Sequence, residues 1–174
     1  MRVVVTGTPG TGKTTATDIL AGNEEFSIGL DVVHLNEVIE REELYSEVDE
    51  ERDSVVVDLD ALADWVGDRD DVLLDSHLAH YLEADRVVVL RCAPEELEAR
   101  LLGRGETESK ASENAESEAL DVVLSEAVDR HGLENVYEID TTGRSPEEVA
   151  ANIAAVVEGE RDPSAGDVDF IDYL

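Results

Sequence analysis

The sequence predicts an α/β fold in which helices cover both faces of a parallel sheet. Short, almost wholly apolar runs alternate with longer segments of helical periodicity, and such runs are typical of parallel strands buried on both faces. A glycine-rich stretch joins the first apolar run to the first helical segment. The 174 residues, of which 42% are hydrophobic, suit one domain with its own core.

The elements follow from these patterns in order along the chain. Strands are predicted at 2–6, 72–75, 86–90 and 136–140, with a further candidate at 31–35. Helices are predicted at about 13–21, 58–66, 94–103, 112–130 and 146–158. Pro94 and Pro146 each open a helix and are each followed by two acidic residues, which suits a helix N-terminus. Together these elements predict a single domain over residues 1–158.

Three segments do not fit the alternation of strand and helix. Residues 36–54 are too charged for a core element, and residues 103–113 form a polar bridge between two helices. Each is either a mobile lobe over the sheet or a solvated helix end or loop. Residues 159–174 form an acidic, turn-rich tail that ends in a small apolar cluster. This tail could dock on the body of the protein or on a partner.

The charge of the chain is unusually negative. There are 44 Asp and Glu residues against 13 Lys and Arg, a net charge of −31, and Lys13 and Lys110 are the two lysines. Periodic apolar segments place this charge on the surface of a folded protein. An acidic, lysine-poor surface indicates an organism that works in concentrated salt, where a Debye length of about 3 Å at 1 M screens the repulsion. The acidity therefore does not exclude a nucleic-acid partner, although sequence-specific binding is not expected.

Cysteine content and hydropathy bear on disulfides, on zinc binding and on the cellular location of the protein. The single Cys92 excludes an intramolecular disulfide and a zinc ribbon. No signal peptide precedes the first apolar run, and no apolar stretch approaches the length of about 18 residues that a membrane helix needs. A cytoplasmic protein without a membrane partner is expected.

The strongest motif is a phosphate-binding loop, G-x-x-x-x-G-K-T, between the first strand and the first helix. Its glycines, among them Gly10 and Gly12, let successive backbone N–H groups point at phosphates. Lys13 can reach the β and γ oxygens of a nucleotide, and the Thr14 hydroxyl can bind Mg²⁺. The motif predicts binding of a nucleoside triphosphate with magnesium.

A second magnesium ligand is expected at the carboxyl end of a neighbouring strand. Asp75 ends the run "VLLD" and is the first candidate, while Asp140 ends "VYEID" and is its rival. His77 lies two residues beyond Asp75, where it could position a water or a phosphate oxygen. An isolated histidine can equally be structural.

Basic residues gather near the polar bridge. Arg100, Arg104 and Lys110 lie close together, and the first two share one helix face. Phosphoryl transfer requires cancellation of negative charge, so a closing segment with such residues is expected. The alternative is a solvated helix in which Glu96 pairs with Arg100. Arg91 is a further basic group at the carboxyl edge of the sheet, and the absence of N-K-x-D argues against a regulatory GTPase.

Several motifs in the same order resemble one known family. They are "TGTPGTGKTT", "LYSEVDEERDS", "LLDSH", "VVVLRCAPEELEARLLGRG" and the K-x-x-x-N-x-x-x-E of Lys110, Asn114 and Glu118. Over about residues 1–158 the chain resembles the adenylate kinase isoenzyme 6 family, nuclear and archaeal adenylate kinase-like ATPases linked to maturation of the small ribosomal subunit. The resemblance implies a P-loop fold of the nucleoside monophosphate kinase type.

The resemblance also implies roles for particular residues. Residues 29–52 would form the monophosphate-binding segment, and residues 103–113 the lid. Asp75 and His77 would act on magnesium and the attacked phosphate. ATP would be held by Gly10, Gly12, Lys13, Thr14, Thr15 and, from the lid, Arg104. Two departures affect these assignments: Glu40, followed by Arg41, stands where relatives have a basic residue, and Glu106 stands where they have an aromatic one.

The leading functional hypothesis is a magnesium-dependent adenylate kinase with ATPase activity, with ATP and AMP as substrates and water as the competing acceptor. The resemblance adds a role in 16S rRNA and 30S subunit maturation. A second hypothesis is an assembly factor whose nucleotide cycle switches its grip on a basic small-subunit ribosomal protein or on pre-30S particles, with kinase activity incidental. A third is a kinase of another small acceptor.

Overall fold

The computed structural model describes residues 1–51 and 54–174. The described residues form seven strands: β1 (Arg2–Thr6), β2 (Asp31–His34), β3 (Tyr45–Asp49), β4 (Ser54–Val57), β5 (Val72–Asp75), β6 (Arg86–Arg91) and β7 (Val136–Asp140). The same residues form seven α-helices: α1 (Lys13–Gly22), α2 (Leu35–Arg41), α3 (Leu59–Val66), α4 (Pro94–Gly103), α5 (Glu108–Ala119), α6 (Val122–His131) and α7 (Pro146–Val157). Five strands form a parallel sheet in the order β2-β5-β1-β6-β7, and β3 pairs with β4 as an antiparallel hairpin. The predicted fold class is confirmed.

The sheet separates two hydrophobic cores. Successive side chains of a strand point to opposite faces, so Val3 and Val5 of β1 pack against residues of α1 and α7, such as Leu20 and Ile153. Val4 points the other way and belongs to a core that includes residues of α2, α3 and α6. All three valines are fully buried. Burial on both faces is the reason why the strands read as continuous apolar runs.

The single helix predicted at about 112–130 is two helices. Residues 120 and 121 interrupt the helix between α5 and α6, and Asp121 adopts a left-handed conformation with φ of 55°. Its Oδ1 accepts a hydrogen bond of 2.5 Å from Arg91. The helical periodicity of the sequence continues through residues 120 and 121, so the pattern did not predict the turn there. The ion pair with Arg91, which accompanies the turn, comes from a distant part of the chain.

The polar bridge at 103–113 is also largely helical. Helix α4 extends to Gly103, and α5 already begins at Glu108, capped by the Thr107 side chain, which accepts from the Lys110 N–H. Only residues 104–107 connect the two helices. The segment predicted as a lid is therefore the tip of a helical hairpin.

The charged segment at 36–54 contains more structure than its composition predicts. Helix α2 buries Leu35, Val38 and Ile39, and the hairpin of β3 and β4 follows it. These few apolar residues anchor a segment whose other side chains are mostly charged and exposed. Residues 52 and 53 lie outside the described residues, and residue 52 is the last of the predicted monophosphate-binding segment.

The C-terminal tail docks on the body of the protein. The Ser164 N–H donates to the carbonyl of Val136 at 3.1 Å, and Arg161 donates to the carbonyl of Glu138 at 3.1 Å. Near the end of the chain, the Tyr173 hydroxyl donates to Glu98 at 3.1 Å. Of the two possibilities that the sequence left open for the tail, these contacts support docking on the body.

No helix within residues 1–51 and 54–174 is both long enough and apolar enough to span a bilayer.

Candidate active site

The phosphate loop lies between the end of β1 and the start of α1. Gly12 precedes α1 with φ of 92°, and Gly10 has φ of 94°. A Cβ on Gly10 would lie 2.9 Å from Leu97 Cδ1, so a larger residue would meet α4. Lys13 Nζ donates to the carbonyls of Gly7 at 2.8 Å and Thr8 at 3.1 Å. The lysine thus lies along the inside of its own loop.

Burial changes the ionisation of Lys13. Loss of hydration lowers the pKa of Lys13 to about 8, although the nearby carboxylates of Asp75 and Glu118 act in the opposite direction. Arg104 lowers it slightly further. Phosphate oxygens beside this amine would raise its pKa, because they stabilise the charged form. Binding of a triphosphate should therefore be accompanied by uptake of a proton at alkaline pH.

This coupling gives a pH prediction for ATP affinity. Above pH 8 the free protein loses charge at Lys13, so the association constant for ATP should fall by up to about tenfold per pH unit. Calorimetry in buffers of different ionisation enthalpy should detect close to one proton taken up per ATP at pH 9. Lys13→Arg is the matched control, since arginine stays charged and should take up no proton. Equal proton uptake by both proteins would contradict the assignment to Lys13.

Asp75 lies at the end of β5, directly beside β1. It is only 3% exposed, and its Oδ2 accepts from the Thr17 hydroxyl at 2.6 Å. Its Oδ1 lies 2.9 Å from His34 Nδ1. The rival Asp140 ends β7, which β6 separates from β1, and it accepts from the backbone and side chain of Thr142. The strand order thus places Asp75, and not Asp140, next to the strand that carries the phosphate loop.

The oxygen donors near the loop fit a magnesium ion bound together with a nucleotide. Mg²⁺ prefers oxygen ligands and usually binds through one or two carboxylates and substrate phosphates. Thr14 is exposed and lines the loop, whereas the buried Asp75 carboxylate contacts Thr17 and His34 and would reach the ion through water. Among the described residues no group of three or more His, Cys, Asp and Glu side chains could hold a metal by itself. Phosphate oxygens and water are the ligands that Mg²⁺ usually takes beside such protein donors.

A cavity of about 390 Å³ opens above the phosphate loop. It brings together all the residues predicted to hold ATP, and Asn36 and His77 also line it. The lining consists of Pro9, Gly10, Gly12, Lys13, Thr14, Thr15, Asn36, His77 and Arg104. Asp75 is not in this lining.

Two larger cavities adjoin this central one. The first, of about 590 Å³, lies towards α2 and the β3–β4 hairpin and shares Asn36 and His77 with the central cavity. The second, of about 420 Å³, lies towards β7 and α7 and shares Arg104 and three residues of the loop region. The central cavity therefore has one larger compartment on each side.

His77 lies on the wall common to the central and first compartments. Burial lowers the pKa of His77 to about 4, and the positive charge of Lys13 contributes in the same direction, as do His80 and Lys110. The imidazole is therefore neutral at physiological pH. A neutral imidazole can donate one hydrogen bond and accept another, which suits the positioning of a water or phosphate oxygen.

The basic residues of the predicted lid have different surroundings. Arg104 lines both the central compartment and the compartment near α7, in which Arg100 and Arg144 also lie. Arg100 forms the ion pair with Glu96 that the alternative interpretation expected, at 2.5 Å, and also donates to the Gly10 carbonyl at 3.3 Å. Lys110 pairs with Glu106 at 3.2 Å.

Two other arginines lie apart from the cavities. Arg41 is 62% exposed, pairs with Glu42 and does not appear in the lining of the central cavity or of the compartment near α2. Arg91 is 1% exposed and is surrounded by carboxylates. Although Arg91 lies at the carboxyl edge of the sheet, it does not line the central cavity.

The sequence interpretation missed His34, which lies between two carboxylates. Its Nδ1 is 2.9 Å from Asp75, and its Nε2 is 2.8 Å from Asp18. Burial lowers the pKa of His34, but the hydrogen bonds and charges of the two aspartates outweigh burial and raise it overall. His34 could have been identified from its place at the carboxyl end of the candidate strand "DVVHL", because this is the same edge of the sheet as Asp75.

This arrangement defines a class of protein. A parallel sheet with a phosphate loop after its first strand and a compartment on either side is a P-loop kinase fold. A solved shikimate kinase from Bacteroides thetaiotaomicron has the same fold, with a TM-score of 0.58 over 91% of this chain and 98% of that chain, at 17% identity.

Comparison with relatives then gives the family. A family model described as an AAA domain matches residues 3–121. Proteins named "Putative adenylate kinase" from Natronomonas pharaonis and Halobacterium salinarum are 60% and 58% identical, each over the whole of both chains. One of the same name from Methanocaldococcus jannaschii is 36% identical over all of this chain and 97% of its own. The chain belongs to this archaeal family of nucleotide kinases.

Proposed function

We propose that the protein is a magnesium-dependent adenylate kinase, which transfers the γ-phosphoryl group of ATP to AMP. The observation that carries this proposal is the central cavity, lined by Lys13 and Arg104 and connected through His77 and Asn36 to the compartment near α2. The compartments near α2 and near α7 each share lining residues with the central cavity, so a donor and an acceptor would meet above the phosphate loop. The names of the relatives support the choice of ATP and AMP.

Donor binding would use the loop and the basic residues beside it. The backbone of Gly10 and Gly12 and the side chains of Lys13 and Thr15 would hold the phosphates. Arg104 would place a positive charge beside the negative charge that develops on the transferred phosphoryl group. Thr14 and, through water, Asp75 would hold magnesium, which would supply positive charge that reduces the negative charge of the phosphates. Thr17 and His34 fix the orientation of the Asp75 carboxylate.

Acceptor binding would use the compartment near α2 and the hairpin. Its walls are mainly apolar, with Ile39, Val55 and Leu59 among the lining residues, which suits a planar base. His77 and Asn36 lie where the acceptor phosphate would approach the central cavity. Because His77 is neutral, it can orient this phosphate without adding a fixed charge.

A screen of acceptors in molar potassium chloride tests the proposal. ATP and magnesium are supplied with AMP, with other nucleoside monophosphates, with shikimate or with water alone. We expect AMP to give the highest rate and water a rate at least about 100-fold lower, because an oriented acceptor lowers the barrier. Preference for shikimate or another small acceptor would contradict the adenylate kinase proposal.

We also propose that water replaces AMP when the acceptor is absent, which gives ATPase activity. A role in 16S rRNA and 30S subunit maturation, suggested by the resemblance to adenylate kinase isoenzyme 6, is compatible with both reactions. The net charge of −31 suits a basic small-subunit ribosomal protein as the direct partner. A pull-down in salt-matched extract, with ATP compared with ADP, tests this second role, and the absence of any nucleotide-dependent partner would contradict it.

We propose further that the protein works in the cytoplasm of a halophilic archaeon. Repulsion among surface carboxylates should destabilise it in dilute buffer, and molar potassium chloride should raise the melting temperature by on the order of 10 °C, since 1 kcal/mol corresponds to about 2–4 °C at this size. A neutral osmolyte at equal osmolality is the control and should have a smaller effect. Equal melting temperatures in dilute buffer and molar salt would contradict this prediction.

A further inference from the structure

A buried network of polar side chains begins at the phosphate loop. The Thr8 hydroxyl donates to Glu118 Oε2 at 2.6 Å, and both residues are almost completely buried. The other oxygen of this carboxylate, Oε1, accepts from Arg91 Nε at 2.8 Å and from the Cys92 N–H at 3.0 Å. The carboxylate of α5 thus joins the loop to the end of β6.

Arg91 continues the network towards β7. Its Nη1 donates to Glu138 Oε1 at 2.7 Å, and its Nη2 donates to Asp121 Oδ1 at 2.5 Å. One guanidinium therefore faces the carboxylates of Glu118, Glu138 and Asp121. Asp121 is partly exposed, whereas Glu118 and Glu138 are buried, and one guanidinium cannot neutralise two buried carboxylates. Glu118 also accepts from Thr8 and Cys92, so the second oxygen of Glu138 is the one that still needs donors.

The C-terminal tail supplies the missing donors. Glu138 Oε2 accepts from three successive backbone N–H groups of the tail, those of Gly166, Asp167 and Val168, at 3.0, 2.8 and 3.1 Å. The ring of Phe170 lies over the Arg91 guanidinium at 5.4 Å. The tail therefore completes a network that begins at Thr8.

We propose that the docked tail positions the phosphate loop through the buried network of Thr8, Glu118, Arg91 and Glu138. The carbonyl of Thr8 also accepts from Lys13 Nζ, so the position of Thr8 bears directly on the lysine that would contact ATP. The tail is then a part of the nucleotide site that touches no nucleotide itself. The four residues of the network are positioning residues. This proposal rests on the loop binding ATP and does not depend on the acceptor.

A double-mutant cycle tests the network. One variant ends the chain after Ala165 and so removes the three N–H donors and Phe170, while it keeps Arg161 and Ser164. The other is Thr8→Val. We expect each to weaken Mg·ATP binding about tenfold by calorimetry, which is the usual effect of breaking a buried polar interaction. Combined, they should weaken it little more than either alone, because both break one network. Thr8→Ser, which keeps the hydroxyl, should bind Mg·ATP with the affinity of the unsubstituted protein.

Two further variants complete the test. Tyr173→Phe breaks the contact of the tail with Glu98, outside the network, and should leave ATP affinity unchanged. If the shortened chain does not fold, Glu138→Gln takes its place in the cycle, since it keeps the volume and removes the charge. A combined loss equal to the product of the single losses, about 100-fold, would overturn the proposal, as would unchanged affinity in the shortened chain. Absence of ATP binding by the unsubstituted protein would instead contradict the proposed function.

Discussion

Replacement of Lys13 by alanine should reduce both phosphoryl transfer to AMP and ATP hydrolysis by at least about 100-fold, the usual cost of removing one group that stabilises transition-state charge. Lys13 lies inside the phosphate loop, beside the carbonyls of Gly7 and Thr8, and lines the central cavity. Lys110, the only other lysine in the sequence, pairs with Glu106 and does not line the central cavity, so it is not expected to replace Lys13. Initial rates in molar potassium chloride, with ATP and AMP both varied, measure the loss.

A charge-matched control separates this effect from a general change in charge. Arg69 packs over the ring of Trp65 at 4.0 Å, near the N-terminal ends of the strands and away from the loop. Arg69→Ala also removes one positive charge, and its rate should stay within about twofold of the unsubstituted protein, as is usual for surface substitutions. Undiminished transfer by Lys13→Ala would contradict the assignment of the site.

Replacement of His77 by asparagine should reduce ATP turnover by about 100-fold with little change in stability, which is the range for loss of one positioned acid–base or hydrogen-bonding group. His77 lies on the wall shared by the central cavity and the compartment near α2, where the acceptor would approach. Asparagine keeps a polar side chain but places its donors differently. The experiment measures turnover with AMP and with water, together with the melting temperature.

The pH dependence provides a second readout for His77. In the free protein the pKa of His77 is about 4, so the imidazole is neutral from pH 6 to 9 and its ionisation should produce no inflection in kcat/KM, which reports the free enzyme, in this range. His131→Gln is a matched control, because His131 contacts the carbonyl of His80 outside the cavities above the loop. The rate could instead show an inflection near pH 6.5 that disappears in His77→Asn. This result would contradict a neutral His77. Unchanged turnover would leave His77 a purely structural role.

The sequence alone predicted the parallel strands and the phosphate loop, because these features depend on local patterns. Buried strands must be apolar on both faces, and the loop has fixed spacing between a strand and a helix. The break at residues 120 and 121 was missed, since helical periodicity persists on both sides of it. Helix α2 was missed because a few buried residues, such as Val38 and Ile39, anchor a segment dominated by charge.

The candidate site was predicted less completely, because its geometry depends on strand order. Asp75 and Asp140 both end apolar strands, and only the order β2-β5-β1-β6-β7 places Asp75 next to β1. The same order brings the end of β2 to Asp75, which explains the contact with His34. The surroundings of Arg91 come from α5, β7 and the region between α5 and α6, and no local pattern connects these segments.

We propose above that transfer of the γ-phosphoryl group from ATP to AMP takes place in the cavity above the phosphate loop. Its most direct test is to trace a label from the γ position of ATP in molar potassium chloride with magnesium and AMP. The label should appear at the β position of ADP, with two ADP formed for each ATP consumed, and this transfer should disappear in Lys13→Ala. Label found only in inorganic phosphate, at a rate that AMP does not change, would contradict transfer to AMP.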